Sequence, residues 1–161
     1  GNAFLDHIRP FVWRRSIDFG AIEEVRRLSL RIRERYAGPQ VPGPGFDVKQ
    51  GRGGIREIEF FAQTHQLIHG GRDPSLRQRG TRAALDALAA AGVIGSDDAG
   101  VLGEAYDRLR TVEHRTQMIA DQQTHELGEG AALDAVARLD GLADGAELIA
   151  ELRSLCAEVA T

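Results

Sequence analysis

Between Lys49 and Phe61 a basic, glycine-rich run, Lys49-Gln50-Gly51-Arg52-Gly53-Gly54, leads directly into an apolar segment that carries charge, Ile55-Arg56-Glu57-Ile58-Glu59-Phe60-Phe61. Residues of these types in this order can hold a phosphate. Glycine lets a backbone approach a ligand closely, amides at a helix start attract an anion, and Lys and Arg supply the countercharge. Lys49, Arg52, Gly53, Gly54 and Arg56 are therefore the candidate phosphate- or nucleotide-facing residues. The plainer alternative is that the glycines punctuate a loop and Arg52 is solvated, and on spacing alone this alternative is the heavier of the two.

A helical wheel over residues 55–69 places Arg56, Glu59, Gln63 and Gln66 in one narrow polar strip, with apolar residues around most of the rest. Such a helix is expected to be buried on most sides, with Glu57 and His65 inside the apolar arc. A buried carboxylate is costly unless paired, so Glu57 should meet an arginine or several donors; Glu57 and Glu59 would order the nearby cations, or Glu57 would simply tie two helices together. His65 reads as a hydrogen-bonded core histidine, with no second His or Cys at ligand spacing.

A second constellation, Arg108, Arg110, Glu113, His114 and Arg115, lies on a later helical stretch. Glu113 falls beside the apolar stripe and is expected to meet an arginine from another helix, with Arg14, Arg15 and Arg56 as candidates. A surface network is the competing account, since helical i,i+4 pairs are worth only tenths of a kcal/mol. Asp121 to His125 reads as a polar helix end.

The elements that must position these residues are helices. Residues 2–8 suit a short helix stopped before Pro10, and Asp18 is a reasonable cap for an amphipathic helix over about 19–36 carrying Ile22, Val25, Ser29, Ile32 and Tyr36. A Pro- and Gly-rich loop follows, with at most one short strand at Phe46 to Lys49. Further helices are expected at 55–69, 81–91, 97–121 (capped by Ser96-Asp97-Asp98), 131–139 and 145–160. The fold class is all-α: an antiparallel, up-and-down four-helix bundle of the segments 19–36, 55–69, 97–121 and 145–160, with additional short helices.

Composition agrees with a single globular domain. The 161 residues are 42% hydrophobic and 27% charged, and the lone Cys156 excludes an internal disulfide framework and suits a reducing cytoplasm. No apolar run reaches membrane-spanning length, and no secretory leader is expected. Residues 1–56 hold eleven Lys and Arg against six acids, although the net charge of the chain is −4. A pI near 5.7, with no aromatic stacking ladder, argues against nucleic acid.

Six blocks in order carry a resemblance across nearly the whole chain: Pro10-Phe11-Val12-Trp13-Arg14-Arg15 with Asp18-Phe19; Lys49-x-Gly51-x-Gly53-Gly54; Ile55-Arg56-Glu57-Ile58-Glu59-Phe60; Gln66-Leu67-Ile68-x-Gly70-Gly71-Arg72-Asp73-Pro74-Ser75-Leu76; Leu109-Arg110-x-Val112-Glu113-His114-Arg115; and Asp121-x-Gln123-Thr124. They resemble the bifunctional glutamine synthetase adenylyltransferase and adenylyl-removing enzymes. The wording at residues 56–60 is similar to the amino-terminal, adenylyl-removing half. The resemblance implies a helical domain, residues 19–161 with a lead-in at 1–18, packed on an upstream nucleotidyltransferase domain. It implies phosphorolysis of AMP-tyrosine on glutamine synthetase under control of the PII signalling protein, with Mg²⁺ and ATP, ADP or phosphate as cofactors of the full enzyme, in the cytoplasm. That family's Gly-Ser and Asp-x-Asp metal ligands have no counterpart here, and Asp97-Asp98 has the wrong spacing; the chain alone is expected to be inactive, with no cofactor of its own. The supporting charge network on this reading is Glu57, Glu59, Arg14, Arg15, Glu113 and Arg115. A different class stays open: a regulatory, partner-binding helical module using an apolar groove around Phe11, Val12 and Trp13.

Overall fold

The structure, a computed structural model, describes residues 2–14 and 19–160. Among them it forms seven α-helices: α1 (Asn2–Val12), α2 (Phe19–Arg35), α3 (Ile55–His69), α4 (Thr81–Ala90), α5 (Ser96–Ala120), α6 (Ala131–Leu139) and α7 (Gly145–Val159), with a 3-10 turn at Pro74–Leu76. Residues 46–49, the one place allowed for a short strand, form only an isolated antiparallel bridge, from Asp47 to Glu126. The residues expected to cap α2 at Asp18 and to extend the arginine cluster at Arg15 lie outside the described residues.

The long α5 is the spine, because Ala99, Ala105, Leu109, Val112 and Thr116 recur on one face and bury it. It packs against α3, α4, α6 and α7, while α2 packs on α3. Ile55, Ile58, Leu85, Leu109, Val112, Leu148 and Leu152 are fully buried at the centre. The short α4 has the most extensive contact with α5, so the helices expected as additions share the core with the principal ones.

Local chemistry accounts for several boundaries that differ from expectation. α1 continues through Pro10 to Val12, and the Trp13 amide still reaches the Arg9 carbonyl at 2.8 Å; a proline in the last turn removes little of the ladder. α5 starts from Gly95 with no side-chain cap, so Ser96 is not the capping residue, and Asp97 and Asp98 sit in the first turn, where negative charge is favourable. α7 has the reciprocal cap instead: Asp144 accepts from the Glu147 amide at 3.0 Å, and the Glu147 carboxylate accepts from the Ala143 amide at 2.8 Å.

α3 is buried along a stripe of Ile55, Ile58, Ala62 and Gln66, and Phe60, Phe61, Leu67 and Ile68 are half-buried. The expectation of burial on most sides is therefore too strong. Gln66, placed in the solvent strip by the wheel, is buried: its amide nitrogen donates to Leu76 O at 2.6 Å and to Gln78 O at 2.9 Å, holding the chain that follows the helix. Long-range backbone carbonyls recruited it, which a wheel cannot register.

Candidate functional site: the joint at the start of α3

Residues 42–54 form a joint at the centre of the fold. Phe46 and Val48 are fully buried, an anchor that a loop rarely has. Asp47, also buried, accepts from the Lys49 and Gln50 amides, both at 2.8 Å, an Asx turn that closes the run before Gly51. The Tyr36 hydroxyl, just past α2, accepts from the Asp47 amide at 3.1 Å. The segment after α5 adds a second rail, with Gly45 N to Leu127 O at 2.8 Å, Val48 N to His125 O at 2.9 Å and Leu127 N to Phe46 O at 2.9 Å. From α7, Arg153 Nε donates to Pro42 O at 3.0 Å.

The glycines are required by this packing. Gly53 has φ +72°, and a Cβ there would lie 2.1 Å from the Cys156 carbonyl oxygen of α7. A Cβ on Gly54 would lie 2.7 Å from Val48 O. Glycine is thus the close-approach residue between two parts of the backbone. The first amides of α3 are likewise committed: Gly54 N to Gly51 O, Ile55 N to Val48 O, Arg56 N to Lys49 O and Glu57 N to Gly54 O, all between 2.9 and 3.1 Å. This corrects the premise of free amides at the helix start, because the preceding turn folds back and supplies the acceptors.

The side chains differ from the backbone. Arg52 is exposed, Lys49 and Arg56 are half-buried, and among the described residues none of the three has a carboxylate partner. Glu57 is mostly buried and pairs with Arg33 of α2 at 3.1 Å, so the arginine it needed comes from α2 and the carboxylate does not order the basic loop. Glu59 is half-buried, also without an ion pair among the described residues.

The rest of the expected network divides into separate groups. Glu113 is buried and pairs with Arg110 one turn before it, and its carboxylate lies 2.6 Å from His125 Nδ1; its partners are not Arg14 or Arg56. Arg115 pairs with Asp140 at the end of α6. Arg108 spans three elements, donating to Asp140 at 2.8 Å and to both oxygens of Glu151 on α7 at 2.5 and 2.9 Å. Those bonds from Arg108 hold the Glu151 carboxyl below its ordinary value against the opposing effect of burial. Arg14 lies over the Phe11 ring, 4.9 Å from its centre.

His65 is not the hydrogen-bonded histidine expected. Its Nδ1 is buried without a partner, its ring meets Phe61 edge-on at 4.7 Å, and His69, four residues on and overlooked as a neighbour, lies nearly parallel at 6.2 Å. Burial first and the His69 charge second lower its pKa. Among the described residues no group of three or more His, Cys, Asp or Glu is placed to hold a metal ion. Asp97 and Asp98 are exposed in the first turn of α5.

Asp47, Tyr36, Arg33 and His125 are the residues that reading the sequence missed. Only Asp47 carried a local signal, an Asp followed within four residues by Gly51, the pattern of an Asx turn.

With this geometry in place, the comparisons with known proteins are decisive for kinship. A family model described as GlnD PII-uridylyltransferase matches residues 24–160. The chain belongs to this family. Its relatives include bifunctional glutamine synthetase adenylyltransferase/adenylyl-removing enzymes: that of Caulobacter vibrioides, 53% identical over 80% of this chain and 13% of the relative, and that of Bradyrhizobium diazoefficiens, 49% identical over 89% and 15%. That of Mesorhizobium japonicum is 43% identical over 99% of this chain and 16% of its own length. The chain therefore spans about a sixth or less of the relatives it matches, and no described helix is long and apolar enough to cross a membrane.

Proposed function

We propose that this chain is the helical domain of the adenylyl-removing half of a bifunctional glutamine synthetase adenylyltransferase, folded as the up-and-down four-helix bundle of that superfamily with α4 and α6 added. The Arg56-Glu57-Ile58-Glu59-Phe60 block and the printed names of the relatives support this reading. In the full enzyme, an upstream nucleotidyltransferase domain supplies the Mg²⁺ chemistry on ATP, ADP and phosphate, and the PII protein regulates it in the cytoplasm. Glutamine synthetase is the protein substrate.

The observation that carries the role of this domain is the contrast at the joint: the first amides of α3 committed to the preceding turn, but Lys49, Arg52 and Arg56 without carboxylate partners among the described residues. Held on a rigid turn, these three cations form a preorganised edge for phosphate recognition. Phosphate is met by side chains, in place of the helix amides expected at first. Replacing Arg52 and Arg56 together by alanine in the full-length enzyme should lower phosphate-dependent release of ADP from adenylylated glutamine synthetase on the order of a hundredfold, with the melting temperature held. Unchanged turnover would remove the joint from the reaction. The isolated chain should release no ADP under the same conditions.

A further inference from the structure

Resting on the function proposed above and deepening it, we propose that Glu113 and His125 form a proton-donating dyad beside the joint, with His125 Nε2 the group that protonates the tyrosine oxygen as it leaves. Glu113 lies on the buried face of α5 and is 1% exposed. Its Oε2 is taken by Arg110, and its Oε1 lies 2.6 Å from His125 Nδ1. Neither Oε1 nor Nδ1 has another partner among the described residues. Two bare lone pairs would repel at that separation, so a proton lies between them on Nδ1, the arrangement by which a carboxylate fixes a histidine's tautomer. The other nitrogen is then the one that can exchange a proton with a substrate. The His125 side chain is 30% exposed although Nδ1 is shut away, so the open edge of the ring is the Nε2 edge.

Bonds on both sides hold this ring beside the joint. Asp121, at φ +50°, ends α5, Gln117 Nε2 donates to Thr124 O at 3.2 Å, and the Thr124 hydroxyl accepts from the Glu126 amide at 3.2 Å. On the far side His125 O accepts from the amide of Val48, the residue before Lys49, at 2.9 Å, and Lys49 O accepts from the Arg56 amide at 3.0 Å. The dyad is thereby tied to two of the residues read as phosphate-facing. A structural tie would be served by any donor toward Glu113 and would gain nothing from a second nitrogen left open.

Phosphorolysis of AMP-tyrosine needs a proton donor at one place. Phosphate brings its own charge to the attack, whereas the tyrosine oxygen takes an electron pair and departs as a phenolate unless it receives a proton. With His125 as the imidazolium, its charge balanced by Glu113, a phosphate oxygen bonds to the AMP phosphorus, the bond from phosphorus to the tyrosine oxygen breaks, and the Nε2 proton passes to that oxygen. The products are ADP and the tyrosine hydroxyl. The hydroxyl of the attacking phosphate, now on the β-phosphate of ADP, returns a proton to Nε2.

The leaving group separates a proton donor from a structural tie. His125→Asn keeps an N–H for Glu113 but has no proton to give. In the full-length enzyme it should slow phosphate-dependent ADP release from adenylylated glutamine synthetase about a hundredfold, with the melting temperature held. On glutamine synthetase prepared with difluorotyrosine, a more acidic phenol that leaves without help, the same variant should fall less than about fivefold below the parent. Glu113→Gln should show the same dependence on the leaving group, with a loss of about tenfold on ordinary tyrosine. Arg52→Ala with Arg56→Ala should slow both substrates alike, because phosphate recognition does not depend on the phenol. The proposal is overturned if His125→Asn matches the parent on ordinary tyrosine, or if it slows both substrates equally. A parent enzyme that releases no ADP from either would overturn the function itself, and this proposal with it.

Discussion

Two regions carry most of the arginine in the central part of the chain, and they treat it in opposite ways. Along α5, Arg108, Arg110 and Arg115 each meet carboxylates, from Glu113, Asp140 and Glu151. At the joint before α3, Arg52 and Arg56 meet none among the described residues, although the first amides of α3 are bonded to the preceding turn. The same residue type holds helices together in one place and is left available in the other. Cation content alone is therefore a poor guide to a site; what distinguishes the two regions is which charges the fold has already satisfied.

The largest effect expected from breaking the joint is at Gly53. Gly53→Ala forces a Cβ against the Cys156 backbone and onto a left-handed residue, and should cost more than about 3 kcal/mol, read as a loss in urea midpoint. Gly92→Ala, also at positive φ but with open space around it, should cost about 1 kcal/mol and serves as the measure of backbone strain alone. Equal losses for the two would mean that the contact between the joint and α7 is not tight.

Glu113 tests the other region. Glu113→Ala strands Arg110 and His125 beside a buried space and should cost about 2–3 kcal/mol by thermal unfolding, whereas a loss below about 0.5 kcal/mol would show that the paired charges on α5 are dispensable.

Cys156 sharpens the comparison by pH. Burial first, and the Glu57 charge second, push its thiol up to about 12. The unfolded thiol ionises near the ordinary value of 9.0, so above that pH the unfolded chain sheds a proton that the folded chain keeps. Stability from this group is complete below pH 9 and is lost as pH climbs toward 12. Stability curves of the parent and Cys156→Ala should converge over that interval; parallel curves would place the thiol in a more open setting.

The smallest effects belong to the two carboxylates of α3 beside the joint. Glu57→Ala should cost about 1 kcal/mol, because Arg33 is half-exposed and the pair is partly screened, and Glu59→Ala should cost less. Matching melting shifts for the two would count against the Arg33 tie.

The pattern of apolar residues and breakers in the chain determined most of the helices by itself: α3 and α6 occupy the expected residues, and α2, α4, α5 and α7 differ from expectation by a residue or so at their ends, whereas α1 runs past its expected stop to Val12. Helix periodicity and glycine punctuation are local, so they can be read locally. The chain also carried the family in its ordered blocks, because those words survive without coordinates. Pairing was another matter. That Glu57 meets Arg33, that Glu113 meets His125, and that Gln66 turns inward depend on which elements come to lie side by side. The committed amides of α3 depend on a turn folding back to residues 48–51, and Gly53 is explained only by the Cys156 backbone, 103 positions away in the chain. Hydrogen bonds and ion pairs act over a few ångströms between residues far apart in sequence, so only the tertiary structure decided which charges were satisfied and which were not.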